Sequence, residues 1–315
     1  MRHRRLYTAL VAVLAVVAPS CGEPSDSTPV APEAAVATLP QVTVERFFYP
    51  TGGHCTNQNT KQNWADLYLP AGPQKVDTIP LVVLVHGGSW QSVLSASVFD
   101  GLARVLAGRG MAVYNIEYRR VGSGGGWPTT FRDVACALDY VVEVDRKYPQ
   151  LTIDDELVVG HSAGAQLAVW ASTRHTLRDD EVGSRPKFRP TRVVSLAGPL
   201  DMVYAATHGD DRIVAVLGGR PGDVPDRYRS VDPIQNIDPA VPVIAMHGTR
   251  DTVVAPENSL RYVEAVKRKG GRAALELLPG ENHSSLVSQY SPSYPKVVQV
   301  IAMTSATDLD HLLKG

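Results

Sequence analysis

The sequence lacks the features that mark several large classes of protein. Its 315 residues carry 31 basic and 32 acidic side chains, a formal net charge of −1, and no clustered basic stripe of the kind that binds nucleic acid. It contains neither a His-Glu-x-x-His motif nor closely spaced cysteine pairs, so no metal-site signature is present. It has no internal repeat, and no membrane-spanning run follows the N-terminal leader. We therefore expect no metal, no cofactor and no nucleic-acid partner.

The one extended apolar run lies at the N-terminus. Residues 2–5, Arg-His-Arg-Arg, precede an apolar segment from Leu6 to Ala18 that is too short to cross a bilayer but typical of a secretory signal. Small residues before Cys21 form a candidate cleavage site, and the following stretch, rich in Pro, Ala, Ser and Thr, is typical of a flexible tether. We predict a signal peptide at residues 1–20, a tether at 21–40 and one folded domain at 41–315.

Only three cysteines are present, and they raise two questions. The leader, Cys21 and the tether together resemble a bacterial lipoprotein signal, which implies that Cys21 receives a lipid and anchors the protein to the membrane of the cell envelope. The alternative is a secreted protein without lipid; in both cases the protein is exported. Cys55 and Cys136 then form a disulfide, which an oxidising compartment permits, or remain two buried thiols.

Strand-like and helix-like segments alternate from about residue 42 onwards. Short apolar runs predict buried strands at residues 81–85, 112–116, 156–159, 192–196, 243–246 and 273–278. Helical patterns predict helices at residues 95–109, 131–141, 166–171 and 256–269. Buried strands separated by helices indicate a single α/β domain with a mostly parallel sheet flanked by helices. Two looser alternating runs, at 42–48 and 65–69, are expected to form an antiparallel edge.

Residues 160–164 read Gly-His-Ser-Ala-Gly and fit the pattern Gly-x-Ser-x-Gly at a predicted strand-to-helix turn. A serine at such a turn is held in a strained conformation with its hydroxyl exposed. The flanking residues must be glycine-sized because strand and helix pass close together there. The predicted strand and helix distinguish this pattern from a chance match in a chain with 26 glycines. Ser162 is therefore the candidate nucleophile.

A serine hydroxyl is a poor nucleophile until a histidine takes its proton and an acid orients that histidine. His283, in the turn-rich loop after the last predicted strand, is the candidate base. Asp251, after the preceding strand, is the candidate acid, and Asp201 is its rival; each carboxylate is alternatively a helix cap. The order Ser162, Asp251, His283 is the one expected of α/β-hydrolases.

Residues 86–90, His-Gly-Gly-Ser-Trp, leave the 81–85 strand at the same edge of the predicted sheet. The tetrahedral intermediate of acyl transfer needs hydrogen-bond donors aimed at its oxyanion. We predict that the backbone amides of Gly88, Ser89 and Ala163 supply them. Trp90 and Trp127 are candidate walls of the substrate pocket, structural packing being the alternative for Trp127.

Five segments in combination resemble the esterase/lipase-type α/β-hydrolases, and most closely the BD-FAE-like and kynurenine-formamidase-like branch. They are residues 86–90, 118–120 (Tyr-Arg-Arg), 127–128 (Trp-Pro) with Asp133, 160–168, and 247–251 (His-Gly-Thr-Arg-Asp). The resemblance implies the α/β-hydrolase fold and the same nucleophile, base, acid and oxyanion amides. It also implies hydrolysis of carboxylic esters, often acetyl or feruloyl groups on plant polysaccharides, or of the formamide of N-formylkynurenine.

We expect an exported serine carboxylesterase that cleaves small acyl esters, free or linked to polysaccharide, through an acyl-enzyme. An arylformamidase or another amidase or peptidase is one alternative. A hydrolase fold that binds without catalysis is the other. The segment between Met202 and Asp238 is predicted to form a lid or side wall, and it is too short for a full cap domain.

Overall fold

The computed structural model describes residues 41–52, 55–56, 61–91 and 93–313. The predicted signal peptide (1–20), the tether (21–40) and Cys21 lie outside the described residues. Within the described part of the chain, no helix is both long enough and apolar enough to cross a bilayer.

In the described part of the chain, eight strands form one sheet in the order β1-β2-β4-β3-β5-β6-β7-β8. They are β1 (Thr43–Phe48), β2 (Trp64–Leu69), β3 (Ile79–Val85), β4 (Ala112–Ile116), β5 (Leu151–His161), β6 (Arg192–Leu196), β7 (Val243–Gly248) and β8 (Ala273–Leu278). β2 is antiparallel to both of its neighbours, β1 and β4, and all other pairs are parallel. The predicted mostly parallel sheet with an antiparallel edge is confirmed.

Helices cover both faces of the sheet. They are α1 (Asp100–Ala107), α2 (Thr129–Asp139), α3 (Val141–Lys147), α4 (Ala163–Ser172), α5 (Met202–Thr207), α6 (Asp211–Leu217), α7 (Pro225–Val231), α8 (Glu257–Arg268) and α9 (Tyr294–Ala306). Among the residues that the structure describes, the buried apolar side chains form two clusters, one containing residues of α2, α4 and α8 and the other residues of α1 and α9. The predicted α/β architecture is thereby confirmed.

The central strand β3 shows why its sequence is continuously apolar. Leu81, Val83 and Val85 belong to the larger cluster, whereas Val82 and Leu84 belong to the smaller one on the other face. Successive side chains of a strand point to opposite faces of the sheet, and here both faces are buried. Polar residues are therefore excluded from β3, which ends at Val85; the loop toward the candidate site begins at His86.

Three features differ from or add to the sequence prediction. The segment between Met202 and Asp238 contains the three short helices α5, α6 and α7, whose apolar residues join the larger cluster. Helix α9, near the end of the chain, was not predicted. Of the two alternatives for the remaining cysteines, the structure has the disulfide: Cys55 and Cys136 are bonded, with their Cα atoms 5.5 Å apart.

Candidate active site

Ser162 occupies the sharp turn between β5 and α4 in a backbone conformation that residues with a side chain rarely adopt. Its φ is 56° and its ψ is −123°. A Cβ on Gly160 would lie 2.1 Å from the carbonyl oxygen of Gly164, and a Cβ on Gly164 would lie 2.0 Å from that of Val85. Any side chain at either position would therefore push strand and helix apart. The turn requires both glycines of the Gly-x-Ser-x-Gly pattern.

The three side chains predicted to form a triad lie in one hydrogen-bonded chain. The Oγ atom of Ser162 is 2.8 Å from Nε2 of His283. On the other side of the imidazole, Nδ1 of His283 is 2.7 Å from Oδ2 of Asp251. The residues follow β5, β8 and β7, three strands whose carboxyl ends meet at one edge of the sheet. The geometry suits proton transfer from the hydroxyl to the imidazole.

Asp251 is buried but is surrounded by donors. Its Oδ1 accepts hydrogen bonds from the amides of Val253 and Val254, at 2.8 and 2.9 Å, and its Oδ2 lies 3.2 Å from Nε2 of His247. Burial alone would raise the pKa of Asp251, but the bonds from His247, His283 and the Val254 amide lower it well below its ordinary value. The carboxylate therefore stays ionised beside His283.

Asp201, the rival acid, has a structural role instead. Its Oδ1 accepts a hydrogen bond from the amide of Tyr204 and so caps the N-terminus of α5, at 2.9 Å. Its Oδ2 accepts one from Nε of Arg261, at 2.8 Å. Both oxygens are thus engaged away from His283, and the cap interpretation fits Asp201 rather than Asp251.

His247, in β7, lies beside the acid. Its Nε2 is 2.9 Å from the carbonyl oxygen of Val254, and its Nδ1 is 2.8 Å from Oγ of Ser259. Since a carbonyl only accepts, Nε2 carries a proton, which also faces Asp251. No local pattern in the sequence indicates this contact, because it depends on how the loop after β7 folds back onto α8.

The loop of residues 87–90 lies beside Ser162. Gly88 and Ser89 both have left-handed φ values, 111° and 59°. A Cβ on Gly87 would be 3.1 Å from the Cβ of Ser162, so the loop and the nucleophile are in near contact. Among the described residues, the amides of Gly88, Ser89 and Ala163 have no hydrogen-bond acceptor. The three predicted oxyanion donors are therefore unengaged, and their role stays a prediction.

The side chain of His86 makes a hydrogen bond that fixes the conformation of this loop. Its Nδ1 is 2.7 Å from the carbonyl oxygen of Gly87, and since that oxygen only accepts, Nδ1 carries a proton and donates it. Its ring stacks on Tyr118 with centroids 4.5 Å apart. Because a trans peptide is planar, fixing the Gly87 carbonyl also fixes the direction of the Gly88 N–H, which points the opposite way.

The two tryptophans predicted to wall the pocket lie in different surroundings. Trp90 is only 2% exposed and packs in the larger core cluster, where its indole N–H donates to Oε1 of Gln166 at 3.1 Å. Trp127 packs on Phe131 and lines a cleft of about 560 Å³ beside the disulfide. The lining of that cleft does not include Ser162. Contact of either tryptophan with a substrate stays a prediction.

No metal centre is found in the part of the chain that the structure describes. There, histidine, cysteine, aspartate and glutamate side chains nowhere form a group of three or more suited to an ion. The polar groups near Ser162 are backbone amides, the carboxylate of Asp251 and the imidazoles of histidines.

The eight-stranded sheet, with its strained serine after β5 and its acid and base after β7 and β8, defines the class: the protein has the α/β-hydrolase fold. The family follows from a direct match. Residues 65–266 match the family model BD-FAE, and the chain belongs to that family. The BD-FAE resemblance inferred from the motifs is confirmed.

Relatives and solved structures agree with this assignment. The chain is 28% identical over 238 residues to Esterase LipC of Mycobacterium tuberculosis, covering 70% of this chain and 55% of LipC. It shares the fold of a carbohydrate esterase from gut microbiota (TM-score 0.66, 19% identity, 84% of this chain and 97% of the other). It shares it also with the propionate-bound esterase Est2 of Thermogutta terrifontis (TM-score 0.63, 24% identity, 76% and 87%). The chain spans between half and two thirds of the length of the curated relatives it matches.

Proposed function

We propose that this protein is a serine carboxylesterase in which Ser162 is the nucleophile, His283 the base and Asp251 the acid. The observation that carries the proposal is the pair of hydrogen bonds that joins them, 2.8 Å from serine to histidine and 2.7 Å from histidine to aspartate. Membership of the BD-FAE family and the likeness to proteins named esterases support an ester as the bond that is cleaved.

In acylation, Oγ of Ser162 bonds to the ester carbonyl carbon while Nε2 of His283 takes the hydroxyl proton. The carbonyl oxygen becomes an oxyanion, to which the amides of Gly88, Ser89 and Ala163 donate. When this intermediate collapses, the bond to the alcohol oxygen breaks and His283 returns the proton to the departing alcohol. The acyl group remains on Ser162 as a new ester.

Deacylation repeats these steps with water. His283 takes a proton from a water molecule as the water oxygen bonds to the acyl carbon. Collapse of the second intermediate breaks the bond to Oγ, the proton passes from His283 to Ser162, and the carboxylic acid leaves. Asp251 stays ionised throughout, because the donors around it hold its pKa below the ordinary value, and it stabilises the imidazolium in both halves of the reaction.

We propose small acyl groups, such as acetyl, as the acid part of the substrate, on a small alcohol or on a polysaccharide. The segment between Met202 and Asp238 supplies short helices and no separate cap domain, which favours small substrates or the ends of larger ones. The likeness in fold to a carbohydrate esterase and to a propionate-bound esterase supports the same classes.

The proposed reaction is tested by comparing esters with a formamide. Steady-state hydrolysis of p-nitrophenyl acetate, butyrate, octanoate and acetylated xylan is measured beside that of N-formylkynurenine. We expect kcat/KM to be highest for the acetyl or butyryl ester and to fall with longer chains. A large preference for N-formylkynurenine would replace the esterase by an amidase, and no turnover of any substrate would favour a binding protein.

We propose further that the protein is exported and anchored through a lipid on Cys21. The disulfide between Cys55 and Cys136 supports export, since such bonds form and persist in oxidising compartments. The test is detergent partition of the full chain and of Cys21→Ala. Wild-type protein is expected in the detergent phase and the variant in the aqueous phase. Equal partition would leave a secreted protein without lipid.

A further inference from the structure

The imidazole of His161, the residue before the nucleophile, packs against the base. Its Nε2 lies 2.9 Å from the main-chain oxygen of His283, which is 122 residues further along the chain. The two rings also meet, with centroids 4.9 Å apart and planes tilted by 43°. Only 8% of His161 is exposed, so this contact is made inside the protein. One side chain of the turn thus touches both the backbone and the ring of the base.

The hydrogen bond fixes which nitrogen of His161 carries a proton. A carbonyl oxygen only accepts, so Nε2 must donate to His283. Nδ1 faces a different element: it lies 3.1 Å from the point that a Cβ on Gly87 would occupy. His161 therefore joins three parts of the site, which are the serine turn, the loop of the base and the loop of the proposed oxyanion donors.

His161 is uncharged near pH 7, where His283 is to act as the base. Burial lowers its pKa to about 4, with a further lowering effect from His283 and a smaller one from His247, against raising effects of the bond to the His283 carbonyl and of Asp251. The ring is therefore neutral near pH 7. A neutral ring donates a hydrogen bond without repelling the positive charge that His283 takes up with each proton.

We propose that His161 is a positioning residue, whose Nε2–H holds the main chain of His283 so that the imidazole of the base meets both Ser162 and Asp251. The inference rests on the proposed function of Ser162 and His283. The proposal assigns a role to His161, the residue in the variable second position of the Gly-x-Ser-x-Gly pattern. A shift of about 1 Å in such a group typically costs about 10²-fold in rate.

The test compares three substitutions at this one position. His161→Gln carries an amide that reaches the place of Nε2 and can donate to the same carbonyl. In His161→Asn the amide reaches only the place of Nδ1, and His161→Phe keeps a ring of similar size without a donor. We expect kcat for p-nitrophenyl acetate to fall about 10²-fold in the Asn and Phe variants with little change in KM, and to stay within about fivefold of wild type in His161→Gln.

A second measurement reads the position of the base without catalysis. The low-field proton NMR resonance of the His283 Nδ1–H reports its bond to Asp251. We expect it in wild type and in His161→Gln and expect it to be lost or broadened by exchange in the Asn and Phe variants, with thermal midpoints recorded for all. Wild-type kcat and resonance in the Asn variant, or equal losses in all three, would overturn the proposal.

The outcomes separate this proposal from the proposed function. If wild type cleaves no ester and is not labelled by a fluorophosphonate, the esterase assignment fails, while the resonance still shows whether His161 holds His283. If His161→Asn and His161→Phe unfold and His161→Gln folds, the hydrogen bond to the main chain of His283 stabilises the fold and does not position the base, and the positioning role is overturned.

Discussion

One buried carboxylate, Asp251, lies beyond the carboxyl end of strand β5, and another, Glu156, lies in the middle of that strand; their pKa values shift in opposite directions. At the carboxyl end, Ser162 and His283 meet Asp251, whose pKa is held below its ordinary value by surrounding donors. In the middle of the strand, the side chain of Glu156 accepts hydrogen bonds from the amide of Leu81 and the hydroxyl of Thr152, at 2.8 and 2.5 Å. There burial dominates and raises the pKa of Glu156 to about 8.

The difference shows that burial sets the direction of a pKa shift unless enough donors oppose it. Asp251 has two backbone amides and two imidazoles, whereas Glu156 has one amide and one hydroxyl, with Asp155 nearby to raise its pKa further. A charge is kept where proton transfer needs it, at the end that also holds the strained Ser162. Changes at that end are expected to alter the rate, and changes at Glu156 are expected to alter the stability.

The largest change in activity is expected when the charge of the acid is removed. Asp251→Asn should lower kcat for p-nitrophenyl acetate by about 10⁴-fold, because an amide can no longer hold the imidazole in the required tautomer. The matched control is Asp201→Asn, which alters the cap of α5 and should leave kcat within about twofold while costing roughly 1 kcal/mol of stability at most. Similar kcat losses in both variants would show that the acid is misassigned.

A smaller loss of rate is expected from crowding the loop beside the nucleophile. In Gly87→Ala the new Cβ would lie 2.7 Å from the carbonyl oxygen of His161 and 3.1 Å from the Cβ of Ser162. The loop must move, and with it the proposed oxyanion donors, so kcat/KM should fall about 10²–10³-fold. Gly101→Ala, within α1 and with no atom within 4 Å of the new Cβ, is the control and should retain full activity. Unchanged activity in Gly87→Ala would exclude this loop from the reaction.

At Glu156, in the middle of β5, the expected effect is on stability and depends on pH. Burial raises the pKa of Glu156 from 4.5 to about 8 in the folded state. The contribution of this shift to the free energy of unfolding is therefore complete below pH 4.5 and is lost as the pH rises toward 8. Glu156→Gln cannot lose a proton. Its advantage in free energy of unfolding over wild type should therefore grow by about 2 kcal/mol between pH 5 and pH 7.

Urea unfolding at several pH values measures this difference, with esterase activity at pH 7 as the internal control. The variant should keep wild-type kcat, since Glu156 lies six residues before the nucleophile along an extended strand, roughly 20 Å away. Parallel stability curves for the two proteins would show that Glu156 is ionised in the folded state.

Much of the fold follows from local pattern. The run at residues 81–85 is apolar at every position because both faces of β3 are covered. This apolar pattern can be read from the sequence alone. Helix α9 was missed because its buried face is carried by Val297, Val298 and Ile301, β-branched residues that favour strands when considered alone. Packing against the smaller cluster overrides that preference.

The site was predictable only as far as strand ends and chain order allow. Ser162, Asp251 and His283 follow parallel strands, so topology brings them to one edge, and their order selects among serine hydrolases. The bonds of His161 and His247 were not predictable, since each joins side chain to backbone across loops whose path no periodicity encodes. Trp90 illustrates the same limit: its residue type suggests a pocket wall, but its left-handed φ of 55° accompanies a ring packed in the core.

The most direct test of the nucleophile is to find where a fluorophosphonate binds covalently. The wild-type protein is labelled, digested and mapped by mass spectrometry beside Ser162→Ala and His283→Ala. We predict one adduct per chain, on Ser162, with no labelling of Ser162→Ala and labelling slowed by more than about 10³-fold in His283→Ala. An adduct on another residue, or undiminished labelling of Ser162→Ala, would contradict the assignment.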